Sequence, residues 1–228
     1  MKVNAASSSW AIIPARGGSK GIPNKNLQTI NGIPLIARTI IAANSSKKIT
    51  RVIVSTDSTE IAKCASKHGA TIVKRPVEIS EDSSRSEDAI LHVLDTLEGT
   101  LDLPDKLAFL QCTSPFTKGE DIDLVLEAIS PPNCNSSLST CTFHGFIWSP
   151  NGSGINHNPH AQRVRRQELQ TELLETGAIY AMSTEFFRLT KNRFCPPCKP
   201  VVVTYSGPEI DTPADLALCR SIAALTAG

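Results

Sequence analysis

Short apolar runs alternate with amphipathic stretches along most of this chain. Ala11 to Ala15 is a compact apolar run that predicts a buried first strand. After Pro34, the residues Leu35, Ile36, Ile40 and Ala43 recur at helical spacing, which predicts a helix to about Asn44. Arg51 to Thr56 reads as a second strand; Asp57, with Glu60 three positions on, predicts the cap of a helix that Gly69 closes. A short strand is expected over 70–74, and a helix from Ser86 carries Ile90, Leu91, Leu94 and Leu97. Leu107 to Leu110 predicts a central buried strand, and Ile122, Val125, Leu126 and Ile129 mark the next helix.

The pattern changes between Pro131 and Glu175. Ser136 to Phe143 can still pair as a strand, but 145–170 is polar, turn-rich and basic. A stretch that cannot pack a core of its own lies over a partner or a site. Apolar periodicity then returns at Ala178 to Met182 and at Val201 to Tyr205. Thr212, Pro213 at the first helical position and Asp215 at the third predict the start of a final helix. Strands alternating with helices define an α/β domain with a mostly parallel central sheet.

Length and charge narrow the function. The 228 residues suit one domain, and a net charge of +1 provides no global field to recruit nucleic acid or a membrane surface. Any anion site must therefore be local. No apolar run approaches the length of a membrane span, and 1–9 reads as a loose polar tail without a signal-peptide core. The seven cysteines are odd in number and scattered, which argues against a disulfide framework and for a reducing, cytoplasmic setting. Cys64, Cys112, Cys141 and Cys219 are expected as buried thiols. Cys195-Pro196-Pro197-Cys198 has the spacing of a redox pair or half a zinc site, but no second ligand pair accompanies it.

The local anion site has an obvious candidate. Directly after the first strand the chain reads Arg16-Gly17-Gly18-Ser19-Lys20-Gly21-Ile22-Pro23-Asn24-Lys25-Asn26. Glycines let a backbone turn its N–H groups toward phosphate oxygens, and the cations add charge where a triphosphate needs it neutralised. The run matches neither the Walker A spacing nor the Gly-x-Gly-x-x-Gly dinucleotide fingerprint. A second candidate is Glu209-Ile210-Asp211. Period-two alternation places both carboxylates on one side and Ile210 in the core, an arrangement that suits Mg²⁺. Asp211 also suits the simpler role of a helix cap.

The string from Ala15 to Asn26 resembles the nucleotide-binding signature of the CMP-sialic acid synthetases, Ala-Arg-x-Gly-Ser-Lys-Gly-x-x-x-Lys-Asn. Further segments fall in the order of that family: Asp82 to Ile90, Gln111-Cys112-Thr113-Ser114-Pro115, the Phe143 to Trp148 run, Arg165-Arg166-Gln167, and Thr176 to Tyr180. Glu209 stands where the family usually has aspartate, and Thr176 where it has asparagine.

The resemblance implies a single Rossmann-like nucleotidyltransferase domain over 10–228, with a protruding dimerisation arm at about 144–175. It implies transfer of CMP from CTP to a nine-carbon acidic sugar, with Mg²⁺ and a homodimer. Ala15, Arg16, Gly17, Gly18, Ser19, Lys20, Lys25, Asn26 and Ser86 would bind nucleotide. Arg16, Lys25 and Asp211 would carry catalysis, Asp211 with Glu209 would hold the metal, and Gln111, Arg166 and Tyr180 would hold the sugar. Two rival readings are an enzyme that activates the eight-carbon acid Kdo and a silent nucleotide-binding protein.

Overall fold

The first strand, β1 (Ser9–Pro14), sends alternate side chains into two separate cores. Ala11 and Ile13 join one core, and Trp10 and Ile12 the other. A strand buried on both faces has no polar side, which is why it reads as an unbroken apolar run. A computed structural model describes residues 8–161, 165–204 and 207–226.

After β1 come a small hairpin, β2 (Thr29–Ile30) and β3 (Ile33–Pro34), then α1 (Leu35–Ser45), β4 (Ile49–Thr56), α2 (Thr59–Lys67) and β5 (Thr71–Lys74). The chain continues through α3 (Ser86–Leu97), β6 (Lys106–Leu110), α4 (Gly119–Glu127), β7 (Ser136–Phe143) and β8 (Glu172–Ser183). It ends in α5 (Thr184–Thr190), β9 (Cys198–Val202) and α6 (Pro213–Thr226).

Seven strands form one sheet in the order β5-β4-β1-β6-β8-β7-β9. β1 pairs in parallel with both β4 and β6, and β4 with β5. Only β8 runs against its neighbours, pairing antiparallel with β6 and β7, while β9 is parallel to β7. Apolar positions of α1, α2, α4 and α6 pack on one face and those of α3 and α5 on the other, so the domain has three layers. No described helix is long and apolar enough to cross a membrane.

Several element boundaries differ from the sequence expectation. Ser9, expected in the tail, pairs in β1, and the Ser8 amide donates to Asp105 at 3.0 Å; residues 1–7 lie outside the described residues. Ser58, not Asp57, caps α2, accepting from the Ile61 amide at 3.3 Å. The helix expected from Ser86 does begin there, with Arg85 at the N-cap position. β9 begins at Cys198 instead of Val201, and Tyr205 lies outside the described residues.

β8 starts at Glu172, within the expected arm, because 172–175 pair with Thr140 to Phe143 of β7. Backbone pairing, which side-chain periodicity does not encode, makes that strand. Beyond it, the Asn156 side chain ties the arm together, accepting from the Ile147 amide at 2.9 Å and donating to the Gly145 carbonyl at 2.8 Å. Arg163 and Val164 lie outside the described residues. All seven cysteines are free; Cys112 and Cys219 are buried as expected, whereas Cys64 and Cys141 are only half-buried.

Candidate active site

The strand order reverses beside β1, which has β4 and β5 on one side and β6 on the other. Open α/β sheets place ligands at such a switch, outside the carboxyl ends of the strands. A cavity of about 620 Å³ lies there. Its walls are Pro14, Arg16 and the following loop after β1, Arg75 after β5, Phe109, Gln111, Cys112 and Thr113 around the end of β6, the 81–86 segment before α3, and Glu209 with Asp211.

The cationic loop is held by the rest of the site rather than free-standing. Asn24 takes a left-handed conformation at φ 51° and starts a single helical turn, Lys25–Leu27. That turn buries Asn26, whose amide donates to the Arg16 carbonyl at 3.0 Å and closes the loop on itself. The Gly17 amide donates to Asp57 Oδ1 at 2.9 Å, so this N–H is engaged by a carboxylate. A Cβ on Gly21 would lie 2.9 Å from the Asp211 carbonyl oxygen, so only glycine lets the loop pack against the carboxylate segment.

Each loop cation meets an acidic partner across the cavity. Asp82 bridges Arg16 (2.6 Å) and Lys20, and these cations hold its carboxyl below the usual range, Lys20 most strongly. Lys25 Nζ lies 3.2 Å from Asp211 Oδ1 and 3.0 Å from the Ile210 carbonyl. The Glu209–Asp211 segment has the predicted alternation: Ile210 is fully buried, and both carboxylates line the cavity. The Ile210 amide donates to the Thr113 carbonyl at 2.9 Å, fixing the segment beside β6.

Asp215 also braces Asp211. Its Oδ2 accepts from the Asp211 amide at 3.1 Å, the Thr212 amide at 2.8 Å and the Thr212 hydroxyl at 2.9 Å. The Thr212 hydroxyl accepts in turn from the Asp215 amide, so the expected cap of α6 is present.

Arg75, which sequence reasoning did not single out, is the most deeply held cation of the cavity. It is buried, with Nε donating to Ser55 Oγ at 3.1 Å and Nη2 to the Ser55 carbonyl at 2.6 Å. Burial pushes its guanidinium down to about 10, against the opposing pull of Asp57. Its place directly after β5 was the available signal, since carboxyl-end positions of parallel strands face the ligand.

The expected site residues divide into two groups. Arg16, Ser19, Lys20, Lys25, Asn26, Ser86, Gln111, Glu209 and Asp211 share this cavity, whereas Ala15, Gly17 and Gly18 belong to the loop but do not line it. Tyr180 stands behind the wall: it is buried and stacks on Phe109 at 5.4 Å, and its hydroxyl donates to Glu175. Arg166 lies in the arm, where its Nε and Nη2 donate to the His144 carbonyl at 3.0 and 2.7 Å. Trp148 and His157 pack edge to face within the arm, with centroids 4.8 Å apart.

Residues 10–191 match the family model described as Cytidylyltransferase. The chain is 38% identical over 182 residues to N-acylneuraminate cytidylyltransferase A of Danio rerio, covering 77% of this chain and 41% of that protein. It is 32% identical over 227 residues to CMP-N,N'-diacetyllegionaminic acid synthase of Legionella pneumophila subsp. pneumophila, covering 93% and 94% of the two. The chain thus spans about 40% of the length of the vertebrate relatives it matches, and almost all of the bacterial one. The structure of CMP:2-keto-3-deoxy-manno-octonic acid synthetase complexed with CTP superposes with a TM-score of 0.73 at 19% identity, over 96% of this chain and 100% of that one, a likeness of fold.

The fold and the cavity define a three-layer α/β protein of the nucleotidyltransferase type, with a cation-lined cleft at its topological switch. More particularly, the chain belongs to the cytidylyltransferase family.

Proposed function

We propose that this chain transfers CMP from CTP to the anomeric hydroxyl of a nine-carbon acidic sugar and releases pyrophosphate. The observation that carries this reading is the convergence of Arg16, Lys20, Lys25 and Arg75 with Asp211 in one cavity. The relatives named for N-acylneuraminate and diacetyllegionaminic acid activation support the sugar class.

In this reaction the sugar oxygen attacks the α-phosphorus in line. The bond between the α-phosphorus and its bridging oxygen to the β-phosphate breaks, and the hydroxyl proton passes to water. No protein nucleophile is needed, so positioning and charge neutralisation do the chemistry. Arg16, Lys20 and Lys25 neutralise the triphosphate, Asn26 keeps their loop closed, and Ser86 meets the nucleoside from the start of α3. Gln111 faces the sugar. Tyr180 acts from behind by backing Phe109, which forms part of the wall.

The donor set suits Mg²⁺ at Asp211. Its side chain is 69% exposed, lines the cavity and is paired with Lys25. Mg²⁺ takes one or two protein carboxylates and completes its shell with phosphate and water, a demand that one exposed carboxylate lining the cavity can meet. Glu209 lines the same cavity, with Oε1 accepting two hydrogen bonds. The bound metal supplies Lewis acidity and a template for the phosphates.

The arm fits a homodimer in which Arg166 of one protomer grips the sugar carboxylate bound to the other. Exposed Trp148, Ile155, Leu173 and Leu174 give it an apolar surface to cover, and a guanidinium suits bidentate capture of a carboxylate. Light scattering showing a monomer at working concentration would remove this role. The free cysteines are in keeping with a reducing cytoplasm.

Pyrophosphate release from CTP and Mg²⁺, run against a panel of nine-carbon acids and Kdo with mass detection of the CMP-sugar, tests the reading. Product with a nine-carbon acid is expected. Product with Kdo alone would keep the reaction and overturn the sugar; CTP binding with no product from any acid would favour a silent binding protein.

A further inference from the structure

The carboxylate of Glu209 is engaged on the sheet side of the cleft. Its Oε1 accepts from Gln111 Nε2 at 2.8 Å and from Thr113 Oγ1 at 2.9 Å. Its Oε2 lies over Gly177, where a Cβ would approach to 2.6 Å and where φ is +69°. Side chain and backbone are both pinned, because Ile210 is buried and its amide donates to the Thr113 carbonyl. Asp211, two residues on, turns instead to Lys25.

These contacts decide the polarity of the cleft wall. A carboxylate only accepts hydrogen bonds, so the Gln111 amide must face it with NH₂ and the Thr113 hydroxyl must give it its proton. The remaining Gln111 Oε1 and the Thr113 Oγ1 lone pairs are then acceptors, and both residues line the cavity. Without Glu209 the amide can turn over, and the hydroxyl can donate or accept freely.

We propose that Glu209 is a specificity-determining positioning residue, not a metal ligand: it sets Gln111 and Thr113 as a pair of acceptors for hydroxyl or amide N–H groups of the acidic sugar. This rests on the function proposed above. The same wall selects against a ligand that offers only acceptors there, since two acceptors facing each other leave buried polar atoms unpaired.

The test compares Glu209→Ala, Glu209→Gln and Thr113→Val with wild type, each checked by thermal melting. Sugar and CTP KM are measured by pyrophosphate release, and Mn²⁺ binding with CTP but no sugar is read by electron paramagnetic resonance. Glu209→Ala should raise the sugar KM roughly tenfold or more, through loss of hydrogen bonds to a charged group. Its CTP KM and Mn²⁺ affinity should stay within about twofold of wild type, a difference of at most about 0.4 kcal/mol. Glu209→Gln keeps an acceptor at Oε1 and should recover most of the lost sugar affinity. If Glu209→Ala does not fold, Thr113→Val is expected to raise the sugar KM with Mn²⁺ binding intact.

A tenfold loss of Mn²⁺ affinity in Glu209→Gln would show a metal ligand and overturn the proposal. So would an unchanged sugar KM in a folded Glu209→Ala, or in Thr113→Val where the alanine variant does not fold. A wild-type protein that turns over no acid would overturn the functional reading itself, and is distinguished because the failure precedes any substitution.

Discussion

Lys25 and Asp211 meet across the cleft, Nζ to Oδ1 at 3.2 Å, although 186 positions separate them in the chain. The contact joins the loop after the first strand to the segment before the last helix. On the function proposed above, Lys25 would meet phosphate and Asp211 the metal, and in this structure each is paired with the other.

Replacing Asp211 by alanine therefore separates chemistry from folding. Its side chain is largely exposed, and Lys25 keeps its bond to the Ile210 carbonyl, so the melting temperature should stay near wild type. Turnover should fall by roughly two to three orders of magnitude, the usual cost of losing one preorganised charge at a reacting phosphate. Unchanged pyrophosphate release would remove Asp211 from the metal site.

Asp82 occupies two of the cations assigned to CTP in the proposed function. On that reading its bridge to Arg16 and Lys20 would open when triphosphate enters, and the pair is partly exposed, so its worth is small. Asp82→Asn should lower the KM for CTP by roughly two- to fivefold at low salt, with the effect fading as ionic strength rises. A higher KM would instead mean that Asp82 helps to hold the nucleotide.

The cap of the final helix has a defined pH signature. Hydrogen bonds from the Thr212 amide, then the Thr212 hydroxyl and the Asp211 amide, hold the Asp215 carboxyl below its ordinary 3.8. A depressed folded value means that the stabilisation is fully present above the unfolded value and is lost as pH falls through the folded one. Acid unfolding of Asp215→Asn should lack this component, and NMR titration should place the Asp215 midpoint below 3.8.

Behind the cleft, Arg193 pairs with Glu87 at 2.7 Å and lies 4.7 Å above Phe109 and 4.8 Å from Tyr180. Burial is the largest single influence and works against the charge on Glu87. The hydrogen bond from Arg193, a backbone hydrogen bond and the charges of Arg193 and Arg85 together outweigh it and hold the carboxyl below its usual range. Arg193→Met leaves that buried carboxylate with only its longer contact to Arg85 Nε at 3.8 Å, and should cost about 3 kcal/mol in urea unfolding. The double variant with Glu87→Gln should recover much of the loss; strict additivity would contradict the pairing.

Local patterning was enough for the elements that pack with their own neighbours. The apolar run of β1, the helical spacing of α1, α3 and α4, and the Thr212–Asp215 cap each depend on residues close in sequence, so periodicity and short-range hydrogen bonding report them. The glycine-rich cationic loop and the Glu209–Asp211 alternation were legible for the same reason, as was the family to which they point.

Contacts between distant segments followed a different logic. The antiparallel entry of β8 and its start at Glu172 come from backbone pairing with β7, to which side-chain patterns contribute little. Asp57 had the look of a helix cap until the parallel register of β1 and β4 brought it to Gly17. Arg75, Asp82 and the hold of Glu209 on Gln111 and Thr113 depend on which strand ends the sheet gathers around the cleft. Short-range chemistry is written residue by residue, whereas the partners of a cleft are chosen by strand order, and strand order exists only once the sheet has formed.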